Sequence, residues 1–224
     1  MLSLEERAFV DEIVREIRRW VVTNRKRMRR MSDELEELIE KHAMQYLVNF
    51  SVFQSAPDHW AFDQLFPIVP LHRMLEEPRR SCNLVDITCD SDGTIDRFIA
   101  RRQAYDSNLW LHKLNGRPYY LGMFLTGAYQ DIMGDQHNLF GKVNEVHVFC
   151  DDDDPEDFYI QETIPGDTIS SVLSENQFVP SELLKSVKIA VEEKVKEGKI
   201  KPRDGVQLVD FYENVMKGYT YLRN

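Results

Sequence analysis

The sequence predicts an α+β protein with helices at both ends of the chain and antiparallel strands in its middle. Apolar residues recur at helical spacing near both termini, whereas the middle contains short runs of alternating apolar and polar residues. We therefore expect three parts: a helical hairpin over residues 1–49, a β-rich domain of barrel or sandwich type over residues 50–175, and a helical segment over residues 176–224.

Two helices are predicted in the N-terminal part. Ser3 and Glu6 have the spacing of a capping box, which starts the first helix. Its apolar face consists of Phe9, Val10, Ile13, Ile17, Trp20 and Val21. The second helix begins near Ser32, and its expected buried stripe consists of Leu35, Leu38, Ile39, His42, Tyr46 and Leu47. The two helices are expected to form a hairpin in which His42 is a packed core residue rather than a ligand.

Four strands are predicted in the middle part, at residues 83–88, 119–125, 143–149 and 158–163. The last two flank the acidic run at residues 151–154 and are expected to form a hairpin. Two helices follow near residues 181–197 and 204–217, with Ser181 as the expected start of the first.

The composition is that of a folded protein in reducing surroundings. Hydrophobic residues make up 42% of the chain, and no apolar run is long enough for a membrane helix. The N-terminus lacks the pattern of a signal peptide, and three cysteines without a CxxC motif indicate reduced thiols and a cytoplasmic protein. The net charge of -10 argues against general nucleic-acid binding.

Charge is distributed unevenly along the chain. The basic run at residues 25–30 is interpreted as the solvated end of a helix, with a binding patch as the alternative. The acidic run at residues 151–154 is interpreted as a solvated hairpin loop. A metal site there is the alternative, and it would need ligands from other loops.

The densest group of reactive side chains is the segment at residues 89–93, Cys-Asp-Ser-Asp-Gly, which directly follows a predicted strand. Gly93 is expected to supply a positive φ, while Asp and Ser bond to local backbone. The simplest interpretation is a polar turn after a buried strand. The alternative is a catalytic loop, because a strand end holds a loop rigidly and exposes its side chains.

Further segments accompany this loop in a fixed order, at residues 49–60, 63–70, 127–141 and 218–222. Together with the Cys-Asp loop they closely resemble the C-terminal part of the biosynthetic arginine decarboxylases, which are pyridoxal-phosphate enzymes of the alanine-racemase-like fold type. The resemblance is dense from about residue 42 to the end of the chain and looser before it.

The resemblance implies the conversion of L-arginine to agmatine and CO2 in polyamine and spermidine biosynthesis. In this family the matching Cys protonates the product carbon and the adjacent Asp contacts the substrate side chain, roles that carry to Cys89 and Asp90. Asp92 belongs to the same motif, and either carboxylate suits a guanidinium, which it can bind in bidentate fashion. A thiol suits the proton donor because it ionises not far from neutral pH.

The cofactor implied by the resemblance is pyridoxal phosphate, and Mg²⁺ is kept as a second candidate. The Tyr of the family's Gly-Ala-Tyr motif contacts the cofactor phosphate, which carries to Tyr129. A buried tyrosine bonded to backbone is the structural alternative. His137 lies in the same block. The resemblance assigns it no role, and we expect it to be a packed histidine.

The resemblance also implies that this chain is a C-terminal part lacking the family's (β/α) barrel. That barrel carries the lysine and the glycines that hold the cofactor, and the chain has no room for it. We expect a truncated gene product, an engineered piece or half of a split enzyme, which is inactive alone. The active site is expected between the Cys-Asp loop and the barrel of the same or another subunit of a homo-oligomer.

Two alternatives stay open. One is a decarboxylase for another basic amino acid, of the ornithine or diaminopimelate type. The other is a non-catalytic docking or oligomerisation module for a full-length decarboxylase, which has no need to keep both Cys89 and Asp90.

Overall fold

The computed structural model describes residues 3–24, 32, 34, 43–101, 104–151, 153, 154 and 156–223. The helices described are α1 (Leu4–Asn24), α2 (Val52–Ser55), α3 (Pro57–Phe62), α4 (Tyr129–Met133), α5 (Ile169–Glu175), α6 (Pro180–Lys196) and α7 (Pro202–Met216). The strands described are β1 (Met44–Leu47), β2 (Ile68–Pro70), β3 (Arg80–Val85), β4 (Thr94–Ile95), β5 (Leu109–Leu111), β6 (Leu121–Met123), β7 (Glu145–Cys150) and β8 (Phe158–Ile164). A 3₁₀ turn covers His137–Leu139. These elements confirm the α+β class.

The described strands form three small sheets and no closed barrel. The largest contains β1, β3 and β4 in that order, with β5 also paired to β3. The other two sheets are the pairs β2–β6 and β7–β8, and both are antiparallel. Across the described part of the chain, no helix is both long enough and apolar enough to cross a membrane.

The chain divides into two compact units. One consists of Met1–Tyr46, Leu65–Val85 and Ile95–Leu125, and the other of Leu47–Gln64, Asp86–Thr94 and Thr126–Asn224. The Cys-Asp loop lies in the second unit together with residues 127–141, so the site can be built within one unit. The predicted divisions near residues 50 and 176 stay predictions.

The start of α1 confirms the predicted capping box. The Ser3 backbone N–H donates to the Glu6 carboxylate over 2.7 Å, and the Glu6 N–H donates to Ser3 Oγ over 3.2 Å. The apolar face of this helix is largely exposed, since the side chains of Phe9 and Trp20 are 64% and 62% exposed. Residues 25–30, the basic run, lie outside the described residues.

The predicted second helix is wrong at its C-terminal end. Residues 44–47 form strand β1, which joins the sheet beside β3. Tyr46 is buried there and donates its hydroxyl to the His112 carbonyl over 2.8 Å, whereas Leu47 is exposed. Sheet pairing therefore overrides the helical spacing of these apolar residues. Residues 35–42, including His42, lie outside the described residues.

The predicted hairpin is confirmed by β7 and β8, whose pairing shifts register between His147 and Val148. Its acidic loop folds on itself, because the backbone N–H groups of Asp153 and Asp154 both donate to Asp151 Oδ1. This is the hairpin loop that the sequence predicts. Within the described ranges, no group of three or more His, Cys, Asp or Glu side chains is arranged to hold a metal ion.

The two predicted C-terminal helices are present as α6 and α7. The first starts one residue earlier than expected, because Pro180 occupies its first turn and Val179 precedes it as the N-cap. The fixed φ of proline suits that position. Helix α5 was not predicted, although Thr168 and Ser171 form a capping box at its start.

Cys82 in β3 leads to a prediction about alkaline stability. Burial raises the pKa of its thiol from 9.0 to about 11. The folded state therefore holds this proton more tightly, so the stabilisation is complete below the unfolded pKa and is lost as pH rises through the folded pKa. We expect the free energy of unfolding to fall by roughly 1 kcal/mol from this thiol between about pH 8 and about pH 10.

Urea unfolding at the two pH values tests this, with Cys82→Ala as the comparison. The variant starts less stable because it leaves a cavity, but it should lose less stability with pH than the parent. The dependence of stability on pH that remains in the variant comes from groups such as Tyr221, because burial also raises the pKa of its phenol. Equal slopes in the parent and the variant would contradict the prediction.

Candidate functional site: the Cys-Asp loop

The Cys-Asp loop is anchored by a buried carboxylate that directly follows β3. Asp86 is 1% exposed. Its Oδ2 accepts from the Val52 backbone N–H over 2.9 Å, and its Oδ1 accepts from the backbone N–H and the hydroxyl of Thr88 over 2.8 and 2.7 Å. Hydrogen bonds to a charged acceptor are about twice as strong as neutral ones. One side chain therefore ties the loop to the first residue of α2.

The loop closes through its own backbone. The Asp86 N–H donates to the Gly93 carbonyl over 2.7 Å, and the Gly93 N–H donates to the Asp90 carbonyl over 3.1 Å. The predicted positive φ at Gly93 is wrong, since this residue is not among those with positive φ. Glycine is needed for another reason: a Cβ there would overlap the Asp86 carboxylate.

Cys89 stands exposed at the front of this loop and faces a side chain that the sequence did not indicate. Its Sγ lies 3.4 Å from Asn138 Oδ1 and 3.5 Å from Asn138 Nδ2. Asn138 belongs to the 3₁₀ turn His137–Leu139 and has a left-handed φ of 56°. The thiol is thus open to solvent on one side and contacts an amide on the other.

Asp90 is held next to Cys89 with a partly exposed carboxylate. Its Oδ1 accepts from the Asp92 backbone N–H over 2.9 Å. Its Oδ2 lies 3.4 Å from His137 Nε2. Asp92 contacts Asp90 through its backbone N–H, and its own side chain is exposed at the edge of the loop. Two carboxylates and a thiol are therefore presented on one short segment.

His137 is packed, as the sequence suggested, and it also lies close to the predicted site. Its ring rests on Phe53 with the ring centroids 4.2 Å apart. Its Nε2 is shielded from solvent and makes no hydrogen bond within the described part of the chain. Asp90 is its nearest acidic group at 3.4 Å. An imidazole in this position adds a titratable group beside the candidate substrate-binding carboxylate.

Tyr129 starts α4 and has an exposed phenol. Its side chain is 64% exposed, so the alternative of a buried tyrosine bonded to backbone is wrong. Gly127, two residues earlier, has a φ of 73° and turns the chain into this helix. Among the described residues, no hydrogen bond or ring contact joins Tyr129 to Cys89 or Asp90, so its role stays a prediction.

Sequence reasoning missed Asp86 and Asn138. A charged residue directly after a strand that contains the buried Leu84 was the available signal for Asp86, since a carboxylate in that position must be paired when it is buried. Asn138 offered no local signal, because the residue that it contacts lies 49 positions away.

Comparison with known proteins shows what this chain is similar to. Residues 169–222 match the family described as the arginine decarboxylase C-terminal helical extension. The chain is 47% identical over 195 residues to the biosynthetic arginine decarboxylase of Gloeobacter violaceus. The matched region covers 86% of this chain and 30% of that protein. It is 41% identical over 223 residues to the biosynthetic arginine decarboxylase of Phocaeicola vulgatus, and this matched region covers 99% of this chain and 35% of that protein.

This chain is a relative of the biosynthetic arginine decarboxylases. It corresponds to their C-terminal part and spans about a third of the length of the curated relatives it matches. A crystal structure of the biosynthetic arginine decarboxylase from Campylobacter jejuni is also similar, with a TM-score of 0.67 and 32% identity. That similarity covers 80% of this chain and 29% of the other. The resemblance inferred from sequence is therefore confirmed.

The arginine decarboxylase relationship extends over both helical and β-rich parts of the chain. The matched helical extension contains α5, α6 and α7. The relative that covers 99% of the chain also spans the Cys-Asp loop and residues 127–141. The roles of Cys89, Asp90, Asp92 and Tyr129 within an arginine decarboxylase stay predictions.

Proposed function

We propose that this chain is the C-terminal part of a pyridoxal-phosphate-dependent arginine decarboxylase, a lyase that converts L-arginine to agmatine and CO2 in cytoplasmic polyamine biosynthesis. The observation that carries the proposal is the exposed Cys89 thiol beside the Asp90 carboxylate, on a loop anchored by buried Asp86. A turn without function does not need a thiol, an acid and a buried anchor together.

The cofactor fits one described side chain. The exposed phenol of Tyr129 can donate a hydrogen bond to a phosphate oxygen, and its position at the start of α4 leaves it accessible to a group on another part of the protein. When bound, pyridoxal phosphate withdraws the electrons that the departing CO2 leaves behind. We assign the rest of its binding to the family's barrel.

Cys89 is proposed as the proton donor. After CO2 has left, the substrate carbon must gain a proton from a group within hydrogen-bond reach. The exposed Sγ carries that proton at a loop tip, where substrate can approach it. The thiol regains its proton from solvent after the product has left.

Asp90 is proposed as the group that binds the substrate's guanidinium. A carboxylate accepts two parallel N–H bonds from that planar group. The Asp90 side chain is partly exposed, and within the described part of the chain a backbone N–H donates to its Oδ1 and none to its Oδ2. Asp92, exposed on the same loop, is proposed as a second acidic contact. Together the two carboxylates favour a substrate with a cationic end.

An exposed site of this kind needs a second surface to exclude water. We propose that the barrel of the same or a neighbouring subunit in a homo-oligomer supplies that surface. Water exclusion strengthens the electrostatic contacts between the loop carboxylates and a cationic substrate.

A chimera tests the proposed function directly. This chain replaces the matching C-terminal region of the Gloeobacter violaceus arginine decarboxylase, and agmatine formation from L-arginine is measured. We expect activity in the chimera and none in the same protein truncated before the junction. A chimera that is folded and binds cofactor but forms no agmatine would refute the proposal. Ornithine and diaminopimelate in the same assay test the alternative substrates.

Neutralising the guanidinium contact should raise KM more than it lowers kcat. In the chimera, Asp90→Asn removes a charged acceptor worth roughly 1.5–3 kcal/mol, which corresponds to a loss of about 10- to 100-fold in kcat/KM for arginine. An analogue with a neutral tail of similar length should suffer less. The matched control is Asp157→Asn, which neutralises an exposed carboxylate in the acidic hairpin loop. An equal loss with charged and neutral substrates would contradict the assigned role.

A docking or oligomerisation module is the second candidate function. The exposed apolar face of α1, with Phe9, Ile17 and Trp20 each more than half exposed, favours an interface on that helix. The chimera separates the two candidates, because a docking module restores assembly without requiring Cys89 or Asp90.

A further inference from the structure

We propose that Asn138 is a positioning residue for the Cys89 thiol. The inference rests on the proposed function, since it gives the proton donor its orientation. The Asn138 amide places Oδ1 at 3.4 Å and Nδ2 at 3.5 Å from Sγ, so both of its polar atoms lie within reach of the same sulfur.

An amide is suited to a thiol that cycles between two protonation states. The protonated thiol can donate its S–H to Oδ1, and the thiolate can accept an N–H from Nδ2. A carboxylate in that place only accepts, and an alkyl side chain does neither. Because the two amide atoms are almost equidistant from Sγ, a small rotation of the amide exchanges one bond for the other. A proton donor passes through both states in each turnover.

The backbone at Asn138 is held in a conformation that few residues adopt. Asn138 and Leu139 have φ values of 56° and 64°, both in the left-handed region. Asparagine tolerates this region better than other non-glycine residues, whereas leucine adopts it at a cost of roughly 1–2 kcal/mol. Strain of this kind persists where surrounding contacts determine the conformation, and it is concentrated at functional sites.

Those surrounding contacts connect the turn to the Cys-Asp loop by a second route. The Asp135 backbone N–H donates to the Phe53 carbonyl over 3.0 Å, and the Phe53 ring supports His137. Phe53 follows Val52, whose N–H donates to the Asp86 anchor. Helix α2 is therefore bound both to the loop that carries Cys89 and to the turn that carries Asn138. This shared support fixes the distance between the thiol and the amide.

Thiol alkylation tests the pairing on the intact chain, without any decarboxylation. Cys150 is the other exposed thiol and Cys82 is buried, so Cys150→Ser leaves Cys89 as the accessible cysteine. In this background the rate of alkylation by iodoacetamide is measured against pH. The titratable groups around the thiol that stay unchanged are Asp86, Asp90, Asp92 and His137.

Two variants of Asn138 are compared with this background. We expect Asn138→Asp to move the midpoint of the pH profile upward and to slow alkylation about tenfold near neutral pH, because the reactive thiolate loses an N–H donor and gains a like charge. Asn138→Gly accepts the left-handed backbone without strain and removes only the amide, so it should shift the profile in the same direction by less.

Gln177→Glu is the matched control. Gln177 also has a left-handed φ, of 67°, and the change from amide to acid adds the same charge at an exposed position. Its profile should superimpose on that of the background protein. If the pH profiles of Asn138→Gly and Asn138→Asp both superimposed on that of the Cys150→Ser background, the pairing of Asn138 with Cys89 would be overturned.

The chimera separates this inference from the proposed function. If the proposed function holds, Asn138→Gly in the active chimera should lower kcat for agmatine about tenfold with little change in KM, since the amide acts on the donor and not on substrate binding. A shifted alkylation profile with an inactive chimera would leave the pairing intact and refute the function. An active chimera together with unshifted alkylation profiles for the Asn138 variants would support the proposed function and refute the pairing.

Discussion

Replacing Cys89 by alanine is expected to slow agmatine formation in the active chimera by roughly 10²–10⁴-fold, the usual contribution of a positioned general acid. The thiol acts after CO2 has left, so release of CO2 should fall much less than release of agmatine. Without the donor, the proton arrives slowly or at the wrong atom. Hydrolysis would then give an aldehyde in place of agmatine and leave the substrate's amino group on the cofactor, so the assay contains excess pyridoxal phosphate. Measuring CO2, agmatine and aldehyde in the same reaction therefore reports the step that fails.

The control for this experiment is Cys150→Ala, which removes the other exposed thiol at the end of β7. It should leave all three products unchanged. Agmatine formed at the parent rate by Cys89→Ala would show that another group is the donor. A parallel loss of CO2 and agmatine would mean that Cys89 acts before the proton transfer.

Removing the anchor of the loop should have the largest effect on stability. Asp86→Ala leaves the N–H groups of Val52 and Thr88 without their acceptor in a region where the carboxylate is 1% exposed. Each unsatisfied buried donor costs about 1–3 kcal/mol, so we expect the free energy of unfolding to fall by roughly 3 kcal/mol or more. Urea unfolding of the intact chain measures this loss.

Local measurements distinguish a loosened loop from general unfolding. Amide hydrogen exchange at Val52, Thr88 and Gly93 should accelerate in Asp86→Ala under conditions where the rest of the chain stays folded. Asp157→Asn, which changes an exposed carboxylate, should stay within about 0.5 kcal/mol of the parent. An Asp86→Ala protein as stable as the parent would show that the three hydrogen bonds contribute nothing to holding the loop.

The sequence alone predicted those elements whose signals are local. The Ser3–Glu6 capping box starts α1, and alternating apolar residues around an acidic run produce the β7–β8 hairpin. The exposure of Cys89 after a strand also followed from the polar turn residues beside it. Each of these features depends on residues within a few positions of one another, so a local pattern is sufficient to predict it. The motifs that carry the resemblance to the arginine decarboxylases are each local as well, although their order extends from residue 49 to residue 222.

Only the tertiary structure decided the features that join distant segments. Tyr46 lies in a strand because the neighbouring strand and the His112 carbonyl provide partners for it, although its spacing is also that of a helix. Gly93 is required by the close approach of the Asp86 carboxylate and not by its own φ. Asn138 reaches Cys89 across 49 residues because α2 supports both segments. Contacts of this kind depend on packing between separate parts of the chain, and such packing leaves no periodic pattern in the sequence.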